Sequence, residues 1–220
     1  FPYTTLFRSK KEIQKMYIKD PQKIEASSME IIESEMDPHD FNLRELKVVK
    51  RTIHTTGDFD YQNIVSFNLN PIQAGIEAIN NQARVVSDTM MAFSGINKRI
   101  LEEKQCQIHN YINEPEAFEI SKKEGITRSM AAMDLAAKKE TDIFVIGNAP
   151  TALYRLGELI DKGEISPKLI IGVPVGFVGA SESKAFIREY QIPTITTVGR
   201  KGGSNVAASI LNAIIYMSND

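Results

Sequence analysis

From residue 65 onward the chain alternates between two kinds of segment, and this alternation constrains the fold more than any other feature. Short apolar, β-branched runs fall at 66–69, 83–87, 105–109, 142–146, 169–173 and 194–198. Between most of them lie stretches with apolar residues at helical spacing, at 72–81, 127–139, 151–162, 181–190 and 204–217. A helix inserted between two strands carries the chain back across the sheet, so successive strands run parallel, and such a sheet is covered on both faces. The expected class is α/β: a mainly parallel sheet with helices on both faces.

Two helices are expected ahead of the sheet. Asp20-Pro21 supplies an N-cap oxygen and a residue suited to the first helical position. Ile24, Ser28, Ile31, Ile32 and Glu35 follow at helical spacing, and Asp37-Pro38 ends the segment. A second helix is expected over 42–55, with Leu43, Leu46, Val49 and Ile53 inward and Gly57 as its stop. This N-terminal helical pair and the sheet make one domain over 16–220, since no repeat, low-complexity tract or Pro-, Gly- or Ser-rich linker divides them. Residues 1–9, FPYTTLFRS, match the in-frame translation of a sequencing-adaptor oligonucleotide. Residues 10–15 can be encoded by a purine-rich ribosome-binding stretch, and Met16 follows as a start. Residues 1–15 are therefore expected to be a non-native leader, the alternative being a polar N-terminal arm, and they stay outside the fold argument.

Composition excludes several function classes. The 220 residues are 42% hydrophobic and 25% charged, as in an ordinary globular domain. A net charge of −2 gives no general attraction to nucleic acid or an anionic membrane, although a local basic patch remains open. Cys106 is the single cysteine, which rules out an intrachain disulfide and a cysteine zinc site. No apolar run approaches the roughly 20 residues that span a bilayer. A cytoplasmic protein is expected.

The last three strands each run into a glycine-bearing loop and then a helix. These loops are Gly147-Asn148-Ala149-Pro150-Thr151, Pro174-Val175-Gly176-Phe177-Val178-Gly179-Ala180 and Gly199-Arg200-Lys201-Gly202-Gly203-Ser204. In open α/β sheets ligands bind outside the carboxyl ends of the strands, where helix N-termini present N–H groups to anions. Lys184, Arg200 and Lys201 add full positive charges near the same edge. Any one loop is as well explained by a plain turn; three together point to a ligand with several anionic groups. Neither a dinucleotide fingerprint nor a P-loop is present, which argues against a nucleotide cofactor.

Of three histidines, His39 lies in a polar turn and His109 ends a short strand, so both read as structural or solvated. His54 closes the second helix in Lys50-Arg51-Thr52-Ile53-His54-Thr55-Thr56-Gly57-Asp58. An imidazole there can lend and recover a proton near neutral pH, or it can cap or pack the helix. The histidines are too dispersed for a metal site, and no H-x-x-x-H or ligand-type carboxylate cluster occurs, so no metal is expected. Asp88 can be a helix N-cap. Arg128 falls in the first turn of a helix, where a cation is unfavourable unless an anion lies close, and this makes it a candidate ligand contact.

These segments together resemble the precorrin-8X and cobalt-precorrin-8 methylmutases of cobalamin biosynthesis. The resemblance rests on residues 51–58, Asp88-Thr89-Met90-Met91-Ala92-Phe93-Ser94-Gly95-Ile96, Thr127-Arg128-Ser129, residues 147–153, residues 172–184 and residues 199–204 followed by Asn212-Ala213, in order over 17–215. It implies an isomerase that moves a methyl group from C-11 to C-12 of a corrin-type tetrapyrrole carrying several carboxylates. No external methyl donor or redox cofactor would be required. It implies His54 as the catalytic acid and base. Ser28, with Ser27 beside it, Arg51, Thr55, Asp88, Arg128 and Asn148 are implied as substrate contacts, as are Gly176, Lys184, Arg200, Lys201, Gly202, Gly203 and Ser204. It further implies a homodimer with sites near the subunit interface. From the residues alone the competing readings are a non-catalytic corrinoid carrier and an α/β enzyme acting on another polyanionic small molecule.

Overall fold

The structure, a computed structural model, describes residues 18–219, so the expected leader lies outside the described residues. The chain divides into two compact units, meeting in sequence at Asp37 and Pro38. The first holds α1 (Pro21–Glu35). Asp20 caps it by accepting from the amides of Gln22 at 3.0 Å and Lys23 at 3.4 Å, with Pro21 in the first turn. Ser28 donates to the Ile24 carbonyl at 2.7 Å, a bond within its own helix.

The second unit begins with α2 (Leu43–Thr56), whose start is a complete capping box. Asn42 accepts from the amides of Arg44 and Glu45 while the Glu45 carboxylate accepts from the Asn42 amide, so two orphan helix donors and the cap are satisfied together. Val48, Val49, Thr52 and Ile53 form the buried stripe. Leu43, expected to face inward, is 82% exposed. It is the first helical residue, one full turn ahead of that stripe. Gly57 ends the helix in the left-handed region, φ +65°, donating to the Ile53 carbonyl.

After α3 (Tyr61–Ile64) come β1 (Val65–Asn68), α4 (Pro71–Asn80), β2 (Arg84–Ser87), α5 (Met90–Gly95), α6 (Lys98–Glu103) and β3 (Gln107–His109). Then follow α7 (Pro115–Glu124), α8 (Arg128–Ala137), β4 (Ile143–Ile146), α9 (Pro150–Asp161), β5 (Leu169–Gly172), α10 (Ala180–Arg188), β6 (Thr194–Thr197) and α11 (Ser204–Met217). All six expected strands form. The helices α3, α5 and α6 are too short to show a helical period, and α7 has a single buried residue, Ala117, hence no apolar stripe to read.

The strands make one sheet in the order β1-β6-β5-β4-β2-β3, and every neighbouring pair is parallel except β1 with β6. Every residue of the central β4 and β5 is buried, as expected of strands covered on both faces. Side chains alternate across the sheet. Phe144, Ile146 and Ile170 pack with Ala132, Met133, Leu153, Leu156 and Ile187 of α8, α9 and α10. On the opposite face lies α11, against β4 and β5 on one side and α2, α4 and α5 on the other. Sandwiched in this way it is apolar almost all round, with Val206, Ile210, Leu211, Ile214 and Ile215 fully buried.

Candidate active site

Parallel pairing sends the exits of β2, β4, β5 and β6 to one edge of the sheet. After β2 the chain turns toward β3, whereas after β4 it runs the other way, through β5 to β6. The crevice between β2 and β4 is therefore the point at which the winding reverses, where doubly wound sheets bind ligands. Because β1 is antiparallel, its start lies at this same edge, and α3 with the end of α2 comes with it. The Val198 amide donates to the Ile64 carbonyl at 2.7 Å, and Lys201 Nζ lies 2.5 Å from Asp58 and 3.2 Å from Asp60. The sheet topology thus brings the α2 terminus carrying His54 to the three glycine loops.

His54 is exposed on the last turn of α2, and its imidazole makes no hydrogen bond or ion pair among the described residues. Three residues before and one after it, Arg51 and Thr55 line an open cavity of about 250 Å³ together with Gly95, Asn205, Ala208, Ser209, Asn212 and Tyr216. The Arg51 guanidinium lies over the Tyr216 ring, 5.1 Å from its centre. A space of this size holds a side arm of a large ligand but not a macrocycle, since pockets for whole drug-sized ligands run from about 300 to 1,000 Å³. A larger open groove of about 710 Å³ lies across α7, α8 and α9. Two charge pairs cross it, Arg155 with Asp134 and Lys138 with Glu116, and it lies away from the three glycine loops.

The three loops are packed backbone against backbone. A Cβ on Gly202 would sit 2.1 Å from the Val173 carbonyl oxygen, and one on Gly147 would sit 2.6 Å from Ser204 Cα. The Gly176 amide donates to the Arg200 carbonyl and the Gly203 amide to the Val173 carbonyl. At Ala149, Gly179 and Gly203, the residues preceding α9, α10 and α11, no side chain caps the helix. In α9 Pro150 has no N–H and the Ala152 amide donates to the Ala149 carbonyl at 3.0 Å, so it is α10 and α11 whose first turns can offer N–H groups to an outside acceptor.

Several expected contacts take a different form. Asp88 is 1% exposed and is no N-cap; Thr89 caps α5 by accepting from the Ala92 amide. Asp88 instead accepts from the amides of Gly147, Asn148 and Ala149 at 3.0, 2.8 and 2.9 Å, so those amides are closed to a substrate anion. Burial pushes its carboxyl up, against the downward pull of these three bonds. Lys184 is fully buried rather than a free cation at the rim. Its Nζ donates to Thr197 Oγ1 at 3.0 Å and to the Lys201 carbonyl at 2.8 Å. Burial, with Arg188 adding to it, brings its amine down to about 8. Lys201 is engaged by Asp58 and Asp60, a pairing that lowers the Asp58 carboxyl.

Arg200 stands over the Phe177 ring at 5.3 Å, and Phe177 itself is 82% exposed. Arg128 opens α8 and is held over Phe118 at 4.7 Å, with its neighbour Thr127 bonded to Thr151 at the start of α9. Asn148 is exposed, between buried Gly147 and Ala149. Ser28 belongs to the first unit. His109 stacks on Tyr111 and His39 packs beside Phe41. Sequence reading passed over Thr89, whose Oγ1 lies 2.8 Å from Ser204 Oγ, and the Asp58–Asp60 pair. Thr89 and Asp58 lie within segments that carry the resemblance, but their partners are 115 and 143 residues away in the chain.

Comparison with known proteins agrees with this architecture. The family model of precorrin-8X methylmutase matches residues 23–217. The cobalt-precorrin-8 methylmutase of Methanocaldococcus jannaschii is 41% identical over 210 residues, 92% of this chain and 97% of that protein. Its counterpart from Salmonella typhimurium is 42% identical over 207 residues, 91% of this chain and 97% of that one. The crystal structure of the precorrin-8X methylmutase from Thermus thermophilus superposes with a TM-score of 0.83 at 36% identity, covering 90% of this chain and 96% of the other. With a family model spanning the sheet, its helices and the three loops, the chain belongs to the precorrin-8X methylmutase family.

Proposed function

We propose that this protein is the isomerase that moves a methyl group from C-11 to C-12 of cobalt-precorrin-8 to give cobyrinate, with His54 lending and recovering the proton. The carrying observation is an exposed, unengaged imidazole beside the Arg51–Thr55 cavity, at the sheet edge where ligands of such folds bind. In this reading the imidazolium protonates the ring system near the migrating carbon, the methyl group shifts within the molecule, and the imidazole takes the proton back. Atoms balance without a methyl donor. General acid help of this kind is worth roughly 10²–10⁴-fold.

The ring would lie across the open edge rather than inside a closed pocket. Val175, Phe177, Val178, Val198 and Met91 each leave about half or more of their surface exposed there, an apolar seat for a flat macrocycle. Arg51, Arg128 and Arg200 would meet its carboxylates, with Thr55, Asn148, Gly176, Lys201, Gly202, Gly203 and Ser204 as neutral or shared contacts. So much apolar surface on one edge also supports a homodimer that covers part of it. The names of the two relatives at 41 and 42% identity favour the cobalt form of the substrate. A single methylmutase domain over 16–220 is supported by a family match that runs unbroken through 23–217. No helix among the described residues is long and apolar enough to cross a membrane, and we place the protein in the cytoplasm.

His54→Gln is the decisive variant. Turnover should fall roughly 10²–10⁴-fold while the tetrapyrrole product binds with unchanged affinity, followed by its visible absorbance. Near wild-type turnover would remove His54 from the chemistry. Wild-type protein that binds the ring but never isomerises either substrate form would be a carrier.

A further inference from the structure

We infer that Asp88 is a positioning residue: from beneath the crevice between β2 and β4 it sets the backbone of residues 147–149 so that Asn148 faces the substrate. The inference deepens the methylmutase reading and rests on it for the role of Asn148. The geometry leaves Asp88 no direct part. Its Oδ1 accepts from the Gly147 amide and its Oδ2 from the amides of Asn148 and Ala149, and the residue is 1% exposed. A ligand could reach those oxygens only by stripping the loop from them.

Three consecutive amides directed at one carboxylate force the loop to curl around it. The curl buries Gly147 and Ala149 and turns Asn148, between them, out to solvent. A carboxyl group carries acceptor oxygens on both arms, whereas an amide offers one and a hydroxyl is a single atom. An amide or hydroxyl in its place would confront at least one loop N–H with a donor or with nothing. The β2 side of the crevice is itself pinned, because the Asp88 amide donates to the Val145 carbonyl and Thr89 Oγ1 bonds Ser204 Oγ at the head of α11. The loop is therefore clamped to two strands and a helix at the point where the sheet reverses.

Energetics also point away from a purely stabilising role. A buried carboxylate is expensive unless it is paired with a cation, and Asp88 has no ion pair among the described residues. Well-packed apolar side chains serve stability as well or better in such positions. A buried carboxyl group at this crevice is intelligible if a particular loop geometry is what it secures.

The test uses the full chain and the precorrin-8 substrate, comparing wild type, Asp88→Asn, Asn148→Ala and the double variant. Amide exchange at 147–149 is followed alongside kcat and KM. Asp88→Asn should speed exchange at these amides at least about tenfold. It should also lower kcat/KM roughly 10- to 100-fold, mostly in kcat, the effect expected of about 1 Å of misplacement. If Asp88 acts through Asn148, the double variant is no worse than the more impaired single one. Unchanged exchange, unchanged kcat/KM per folded molecule, or losses that simply multiply would each overturn the inference. Should Asp88→Asn not fold, Asp88→Glu keeps both acceptor oxygens while displacing the loop, and the same readouts apply. A wild type without methyl-shift activity would refute the functional reading instead, while amide exchange still decides whether Asp88 holds the loop.

Discussion

Replacing Gly147 by alanine tests how the site is assembled, because the perturbation is one methyl group at a known place. Gly147 has no left-handed torsion, so alanine can adopt its backbone without intrinsic strain. The added Cβ would stand 2.6 Å from Ser204 Cα, 2.9 Å from Ser204 N and 3.0 Å from the Gly203 carbonyl carbon. Comfortable carbon contacts lie near 3.5–4.0 Å, so the first turn of α11 must retreat by about 1 Å. No rotamer change relieves this, since all three atoms are backbone. Overpacking of this kind costs about 1–3 kcal/mol. At roughly 2–4 °C per kcal/mol for a chain of this size, Tm falls by about 2–12 °C. The retreat also pulls Ser204 from Thr89 and moves Gly203, so kcat/KM should drop by up to about 10²-fold. Gly163→Ala is the control, with φ +71° and nothing within 4 Å of the new methyl group. It should cost about 1–2 kcal/mol of backbone strain and leave kcat/KM alone. Thermal unfolding and steady-state turnover on both variants suffice. A Gly147→Ala protein with wild-type Tm and turnover would refute the backbone-to-backbone packing of the loops.

Two further outcomes follow from the charged groups. Lys184, brought down from an ordinary 10.5 to about 8, gives up its proton in the folded protein before it does in the unfolded chain. Between those values the unfolded state holds more protons, so this group makes stability rise with pH, by at most about 3 kcal/mol and roughly 1–2 once water at the loop rim is allowed for. Lys184→Met removes that rise without orphaning the Thr197 hydroxyl, which still donates to the Lys201 carbonyl. Urea unfolding of both proteins at pH 7.5 and 10.5 should therefore show the wild type gaining on the variant, and a pH-independent difference would sink the assignment. Arg200→Gln should raise KM roughly 10- to 100-fold with little change in kcat, the loss of a charge-assisted bond to a substrate carboxylate. Lys201→Gln should do less, because Asp58 and Asp60 already engage its ammonium. Equal effects at both positions, measured at low and high salt, would show that the acidic pair does not restrain Lys201.

Much of the architecture was readable because it is encoded locally. The Asp20 cap, the Gly57 stop and the alternation of strand and helix periods each lie within a few residues of the element they define. Even the sheet's direction follows from what lies between its strands. The helices that escaped reading failed for a local reason too: α3 has four residues and α7 buries only Ala117. Leu43 was misjudged because helical periodicity gives a direction around the axis, not how far along the axis the neighbouring surface extends.

The sequence by itself determined the six strands and the longer apolar-striped helices, the glycine loops at one edge, the family blocks and the presence of an imidazole among them. Tertiary structure alone decided which charges are offered to a ligand and which are spent inside the protein. Lys184 and Lys201 look alike in sequence as cations, but one is fully buried beneath the last loop and the other is held by an aspartate 143 residues away. Asp88 reads as a helix cap until β4 is laid beside β2 and three amides, 59 to 61 residues distant, close on its carboxylate. Periodicity and capping are short-range forces written in neighbouring residues. The partner of a buried charge is chosen by how the whole sheet winds, which no local window of sequence contains.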